Sequence, residues 1–159
     1  MWTGTSFLNA MNSGVEVELG KRVLVIGGGD TAIDAARMSR RFGAESTIVY
    51  RRTRDEMPAI DEEIEGAEEE GVDLKFLAAP IEILTEDGKC IGMRCQVCEL
   101  GEPDASGRRR PVPVEGEEFT IEADTIVAAI SQSPDFEGFE NMIEGRDWIK
   151  VDEGGETKE

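Results

Sequence analysis

The chain alternates short unbroken apolar runs with longer stretches in which apolar positions recur every three or four residues. Val23–Ile26 is wholly apolar and ends at Gly27-Gly28-Gly29, the pattern of a strand buried on both faces of a parallel sheet. Asp30–Ala44 then reads as a helix: Asp30 is its expected N-cap, its content is Ala-rich, and Gly43 is its stop. Ala32, Ala36, Ser39 and Gly43 form a stripe of small residues that lets this helix lie close on the sheet. "STIVY" (Ser46–Tyr50) is a second buried strand. "EMPAIDEEIEGAEEEGV" is a second helix, with Pro58 in its first turn, Ile60, Ile64 and Ala67 as its apolar stripe and Gly71 as its end. "VDLKFL" is a third strand.

Strand, helix, strand, helix, strand predicts a doubly wound α/β unit. The period then changes. Ile81–Glu122 reads as an antiparallel meander, with a turn at Glu86-Asp87-Gly88, a Gly- and Pro-rich loop "GEPDASGRRRPVPV" and a further strand "EEFTIEAD". "DTIVAAI" returns as a core strand, and the chain after Ser131 reads as irregular surface. Ahead of the first strand, "SFLNAMNSG" makes one or two helical turns with Phe7, Leu8 and Met11 on one side. The expected fold is Rossmann-like α/β with three layers, a parallel sheet and an antiparallel β-meander.

The apolar runs also bracket the chemistry. Gly27, Gly29 and Ala32 form a G-x-G-x-x-A turn between a strand and a helix. Gly27 makes the tight turn, Gly29 lets a pyrophosphate approach the backbone, and Ala32 permits close helix–strand packing. The free N–H groups of the helix start, together with its dipole, attract the anion. The second strand ends in Tyr50-Arg51-Arg52, at the distance where this fingerprint places its ribose-reading residue. An acid there selects NAD; arginine grips the 2′-phosphate of NADP. The competing reading is a solvated basic turn paired with Asp55 and Glu56.

Composition narrows the rest. The 159 residues carry a formal net charge of −18, which opposes nonspecific nucleic-acid binding. No apolar run approaches the ~20 residues of a membrane-spanning helix. Three cysteines and the absence of a secretory pattern suit a reducing, cytoplasmic setting. Cys90, Cys95 and Cys98 have a ferredoxin-like spacing but lack a fourth cysteine, and as strand residues Cys95 and Cys98 would face opposite ways, so they read as core fillers and no metal site is expected. There is no histidine, which excludes Ser–His–Asp and Cys–His nucleophiles, and no catalytic residue is assigned. The acidic run Asp61–Glu70 reads as a solvated helix face and Gly107–Pro111 as a basic loop tip.

Taken together, "GKRVLVIGGGDTAIDAARMSRRFGA", "VYRRTRDEMPA", "EEGV", "GEPDASGRRRPVPV" and "ADTIVAAISQSPD" resemble the small (beta) subunit family of NADPH-dependent glutamate synthase, related to dihydropyrimidine dehydrogenase and adrenodoxin reductase. The resemblance runs from about Ser6 to Phe139. It implies an NADPH-binding domain inserted in an FAD domain, with hydride passing from NADPH to FAD and electrons onward through iron–sulfur clusters. It implies Gly28, Gly29, Asp30 and Thr31 for the pyrophosphate, Arg51 and Arg52 for the 2′-phosphate, and Glu63 as an acid contacting the nucleotide. Ser131 stands where the family usually has Gly. With one glycine fingerprint, the chain is expected to be a domain cut from a larger protein. Residues 1–19 would be a connector from the flavin domain, 20–139 the NAD(P) domain and 140–159 a tail leading back. The expected partners are that flavin domain and an iron–sulfur or large synthase-type subunit. The alternative class is a non-catalytic, nucleotide-responsive docking module.

Overall fold

In the computed structural model a two-residue strand, β1 (Trp2–Thr3), leads directly into helix α1 (Gly4–Asn12). Thr3 and Ser6 exchange side-chain and backbone hydrogen bonds in a capping box that fixes the start of this helix. The apolar run predicted as a strand is β2 (Arg22–Ile26), followed by α2 (Asp30–Arg41) and β3 (Glu45–Val49). Then come α3 (Asp61–Glu69) and β4 (Asp73–Lys75). The meander is β5 (Ala78–Glu86), β6 (Lys89–Pro103) and β7 (Arg109–Glu122), and β8 (Thr125–Ala128) returns to the first sheet. The structure describes residues 1–105, 107–131, 135–142, 149 and 151–157.

The parallel sheet has the order β1-β8-β2-β3-β4. Alternation along β2 divides the interior. Val23 and Val25 face the helices with Phe7, Ile33, Ala36, Ile48, Ile64 and Val127. Leu24 faces the meander in a second cluster with Val49, Ala78, Met93, Cys95 and Ile126. Helices, parallel sheet and antiparallel sheet are therefore three layers around two cores, as the change of period predicts. Asp87 and Gly88 both adopt positive φ (50° and 76°), the backbone of a two-residue hairpin turn between β5 and β6.

Several elements differ from the sequence reading. Residues 1–19, read as a connector, contribute β1 to the sheet edge and bury Phe7 and Met11 in the helix-side core. Asp30 is the first residue of α2 and does not cap it; the N-cap is Gly29. The Asp30 carboxylate instead accepts from the N–H of Ile60 (3.1 Å), the N-cap residue of α3. Pro58 lies outside α3, and Ile60, expected on its buried stripe, is 58% exposed, leaving Ile64 and Ala67 to make the contact. Gly43 is exposed past the end of α2, so the buried small residues there are Ala32, Ala35, Ala36 and Ser39. The expected loop "GEPDASGRRRPVPV" is mostly ladder: β6 and β7 pair from Pro103–Arg109 inward, leaving a short tip. A register shift between Gln96 and Cys98 interrupts the alternation assumed for the cysteines, and both Cys95 and Cys98 are buried.

The acidic face of α3 is not simply solvated. Glu70, just past α3, accepts from Nε and Nη2 of both Arg41 (3.0 and 2.6 Å) and Arg37 (3.0 and 2.8 Å). Arg41 and then Arg37 hold its carboxyl down to about 2, against an ordinary 4.5. A carboxyl depressed by folding stabilises above its unfolded pKa, and that contribution is lost as pH falls through the folded one. Glu70→Gln should therefore lower Tm by roughly 2–4 °C at pH 7, allowing for solvent screening. The deficit should shrink between pH 4.5 and about 2. Thermal melts across that range check it; a deficit independent of pH would refute the ionic origin.

Candidate functional site

The parallel order places β8 beside β2, whereas the chain leaving β2 crosses to β3 on the other side. Strand order thus reverses between β8 and β2, and the crevice at their carboxyl ends is where open α/β sheets bind ligands. Gly27 sits in that crevice with φ 143°, donating its N–H to Val49 O (3.2 Å). A Cβ on Gly27 would collide with the carbonyl oxygen of Ala129, so the turn closes against the end of β8.

Gly28 lies under Tyr50. A Cβ there would stand 2.6–2.9 Å from three atoms of the tyrosine ring. Tyr50 is 7% exposed and donates its hydroxyl to Glu56 O (2.7 Å), while Gly28 O accepts from Ala59 N (3.2 Å). The segment after β3 is thereby folded back beside the glycine turn, and this brings Ile60 within reach of Asp30. Gly29 has no such neighbour. Among the described residues the nearest atom to a Cβ there is Pro58 Cγ at 3.7 Å, so the backbone at Gly29 is open to them. Gly29 O accepts from Ala32 N (2.8 Å) and Ile33 N (3.2 Å), starting α2, and Ala32 is fully buried against the sheet. The N–H groups of Gly28, Gly29, Asp30 and Thr31 have no hydrogen-bond acceptor among the described residues. Four donors at the positive end of a three-turn helix make an anion cradle.

The two arginines at the end of β3 separate. Arg52 is 5% exposed: its Nε donates to Arg109 O (2.6 Å) and its Nη2 to Asp104 (2.8 Å). Arg51 is exposed and makes no hydrogen bond or ion pair among the described residues. Its charge reaches the buried Cys98, whose thiol is pushed up first by burial and is lowered in part by the Ala79 backbone and by Arg51. Neither arginine pairs with Asp55 or Glu56; Glu56 instead caps the turn at Thr53. Glu63 is paired with Arg37, two turns along α2 from the cradle, and is thus drawn toward the α2–α3 contact. Ser131 is exposed beyond the end of β8. Asp104, 52 positions from Arg52, and Pro58, over the open glycine, are neighbours that no sequence spacing signals.

Burial pushes Cys95 up to about 11. Among the described residues no three His, Cys, Asp or Glu side chains gather to hold a metal, and no helix is long and apolar enough to cross a membrane. Two other concavities lie away from the turn. One is between α1 and α2 at Leu8, Asp34 and Met38; the other is at the amino-terminal end of β2 and β3 near Arg22, Ser46 and Asp73.

Residues 3–159 match the family model described as pyridine nucleotide-disulphide oxidoreductase. The chain is 50% identical over 134 residues to NADPH-Fe(3+) oxidoreductase subunit beta of Geobacter sulfurreducens, covering 83% of this chain and 20% of that protein. It is 45% identical over 117 residues to the glutamate synthase [NADPH] small chain of Escherichia coli K12, covering 72% of this chain and 25% of that protein. It therefore spans about a fifth to a quarter of the length of these curated relatives. In fold it is similar to Mycobacterium tuberculosis FprA in complex with NADPH (TM-score 0.70, 18% identity, 83% of this chain and 45% of that one). It is likewise similar to T. acidophilum thioredoxin reductase (TM-score 0.69, 19% identity, 98% of this chain and 44% of that one).

Proposed function

Because the chain belongs to the pyridine nucleotide-disulphide oxidoreductase family, we propose that it is the NADPH-binding unit of a flavin-dependent oxidoreductase of the glutamate synthase small-chain type. The observation that carries this reading is the open cradle: four N–H groups from Gly28 to Thr31 without an acceptor among the described residues, beside a Gly29 whose nearest described neighbour is Pro58 at ordinary contact distance.

In this reading the cradle donates to the pyrophosphate, and the α2 dipole adds to the attraction. Gly27 and Ala32 bring the helix start close to the sheet, and Tyr50 fixes Gly28 from behind. Arg51 supplies the charge for a 2′-phosphate. NADPH, when bound, supplies a hydride that FAD accepts. This chain positions the nucleotide and contributes no acid or base to that transfer. The FAD and iron–sulfur clusters belong to other parts of the protein or to a synthase-type partner. Residues 20–139 are the nucleotide unit, 1–19 and 140–159 run toward a flavin domain, and the assembly works in the cytoplasm.

The test is made on the full-length protein that carries this chain. NADPH should bleach the flavin absorbance, NADH should do so far more slowly, and an artificial dye should then be reduced. A protein that is colourless and reduces no dye with NADPH would refute the reading in favour of the nucleotide-responsive docking module, and equal rates with NADH would refute the NADP assignment.

A further inference from the structure

The dipeptide Arg51-Arg52 looks like a paired grip on one phosphate, yet its two guanidinium groups occupy different environments. Arg52 is turned into the protein. Its side chain is 6% exposed and uses two faces of the guanidinium, Nε to Arg109 O at 2.6 Å and Nη2 to Asp104 at 2.8 Å. Both partners belong to the two ends of the β6–β7 hairpin tip, itself closed by Asp104 N to Arg108 O (2.8 Å). Releasing Arg52 to a ligand would leave the Arg109 carbonyl without its donor and Asp104 without this cation. Arg51 is exposed and uncommitted among the described residues.

The backbone around Arg51 is fixed on both sides. Tyr50 N donates to Lys75 O (2.9 Å), Ala78 N to Tyr50 O (3.1 Å) and Leu77 N to Arg52 O (3.0 Å). Leu77 reaches this pairing with φ 54°, an uncommon conformation for a branched residue, held by its bonds to Arg52 and Cys98. The chain therefore crosses from the parallel sheet to the meander at Arg52, and the hairpin is tied to the same point.

We infer that Arg51 alone contacts the 2′-phosphate, and that Arg52 is a positioning residue that locks the β6–β7 hairpin, through Asp104 and the Arg109 carbonyl, against the turn that presents Arg51. This rests on the NADP reading above. The 2′-phosphate selectivity of the site is then a joint property of β3 and a hairpin whose tip lies more than 50 residues away. Holding the turn rigid leaves less ordering to be done when the phosphate binds.

The experiment measures binding of 2′,5′-ADP and 5′-ADP by calorimetry, with the intact protein, at several salt concentrations. Arg51→Ala should weaken 2′,5′-ADP about tenfold to a hundredfold, the loss of a charge-assisted contact, and leave 5′-ADP nearly unchanged. It should also flatten the salt dependence, because a direct charge contact is screened. Asp104→Asn and Arg52→Lys keep positive charge near the phosphate but break the two-pronged lock. Both should weaken 2′,5′-ADP by about threefold to tenfold while keeping the wild-type salt slope.

The sign of the Asp104→Asn effect decides the matter. If Arg52 were a phosphate ligand restrained by Asp104, removing that carboxylate would free it and tighten binding. Tightening, or an Arg52→Ala loss equal to that of Arg51→Ala with the same flattened slope, overturns the inference. Circular dichroism on each variant separates misfolding from lost selectivity, and Arg52→Lys remains informative if Asp104→Asn unfolds. A wild-type protein that binds 2′,5′-ADP no better than 5′-ADP would overturn the NADP reading itself.

Discussion

Phe7→Ala is expected to destabilise the domain by about 3–5 kcal/mol, the cost of emptying a fully buried aromatic site. Phe7 has no exposed surface, packs edge-on to Trp2 with centroids 6.3 Å apart, and joins the helix-side core with Val25, Ile33 and Val127. Gly4, one turn earlier, is so close to the start of α2 that a Cβ there would stand 2.8 Å from Thr31 Cγ2. The loss should therefore extend to the cradle, with NADP affinity falling alongside stability. Urea unfolding of the variant checks the first part, and calorimetry at a temperature where the variant is still folded checks the second. A cost within about 0.5 kcal/mol, as for an ordinary surface substitution, would show that α1 adds nothing to the stability of the nucleotide unit.

The packing of β1 and α1 onto the sheet has no local signature in the sequence, for a physical reason. Two residues of β1 are too few for a period-two pattern, and their partner β8 lies more than 120 positions away. Local patterns served where both the cause and the consequence were local. The run Val23–Ile26, the small residues of α2, the Asp87-Gly88 turn and the glycine fingerprint are each decided by residues within one or two turns of each other. The shift from helical to alternating period likewise announced the second sheet. What failed was everything set by distant contacts. Asp30 sits where a cap belongs, but the segment folded back by Tyr50 offers it the Ile60 N–H of another helix. Ile60 has the right spacing for burial and the wrong neighbour. "GEPDASGRRRPVPV" has a loop's composition, yet ladder pairing with β6 makes most of it strand. The candidate site divides the same way: the donors of the cradle follow from the motif, whereas the different fates of Arg51 and Arg52 depend on Asp104 and Arg109.

Two glycines of one motif should lose nucleotide binding on the same substitution for different reasons. Gly27→Ala is expected to lose folding: φ of 143° is strained for any L side chain, and the new methyl would run into the Ala129 carbonyl, which is backbone and cannot rotate aside. A cost of about 3 kcal/mol or more should appear in urea unfolding, with nucleotide binding lost as a consequence. Gly29→Ala should fold. Its backbone is extended (φ −98°, ψ 176°), and among the described residues the only near atom, Pro58 Cγ at 3.7 Å, is at ordinary contact distance. The exchange costs the helix about 1 kcal/mol, because alanine is a poorer N-cap than glycine. Yet that methyl would stand in the space a pyrophosphate needs, so NADPH affinity should fall at least about tenfold. The contrast separates a glycine required by the fold from one required by the ligand. If Gly29→Ala bound NADPH as the wild type does, the open space above that residue would not be where the pyrophosphate lies, and the cradle would have to be sought elsewhere along the crevice.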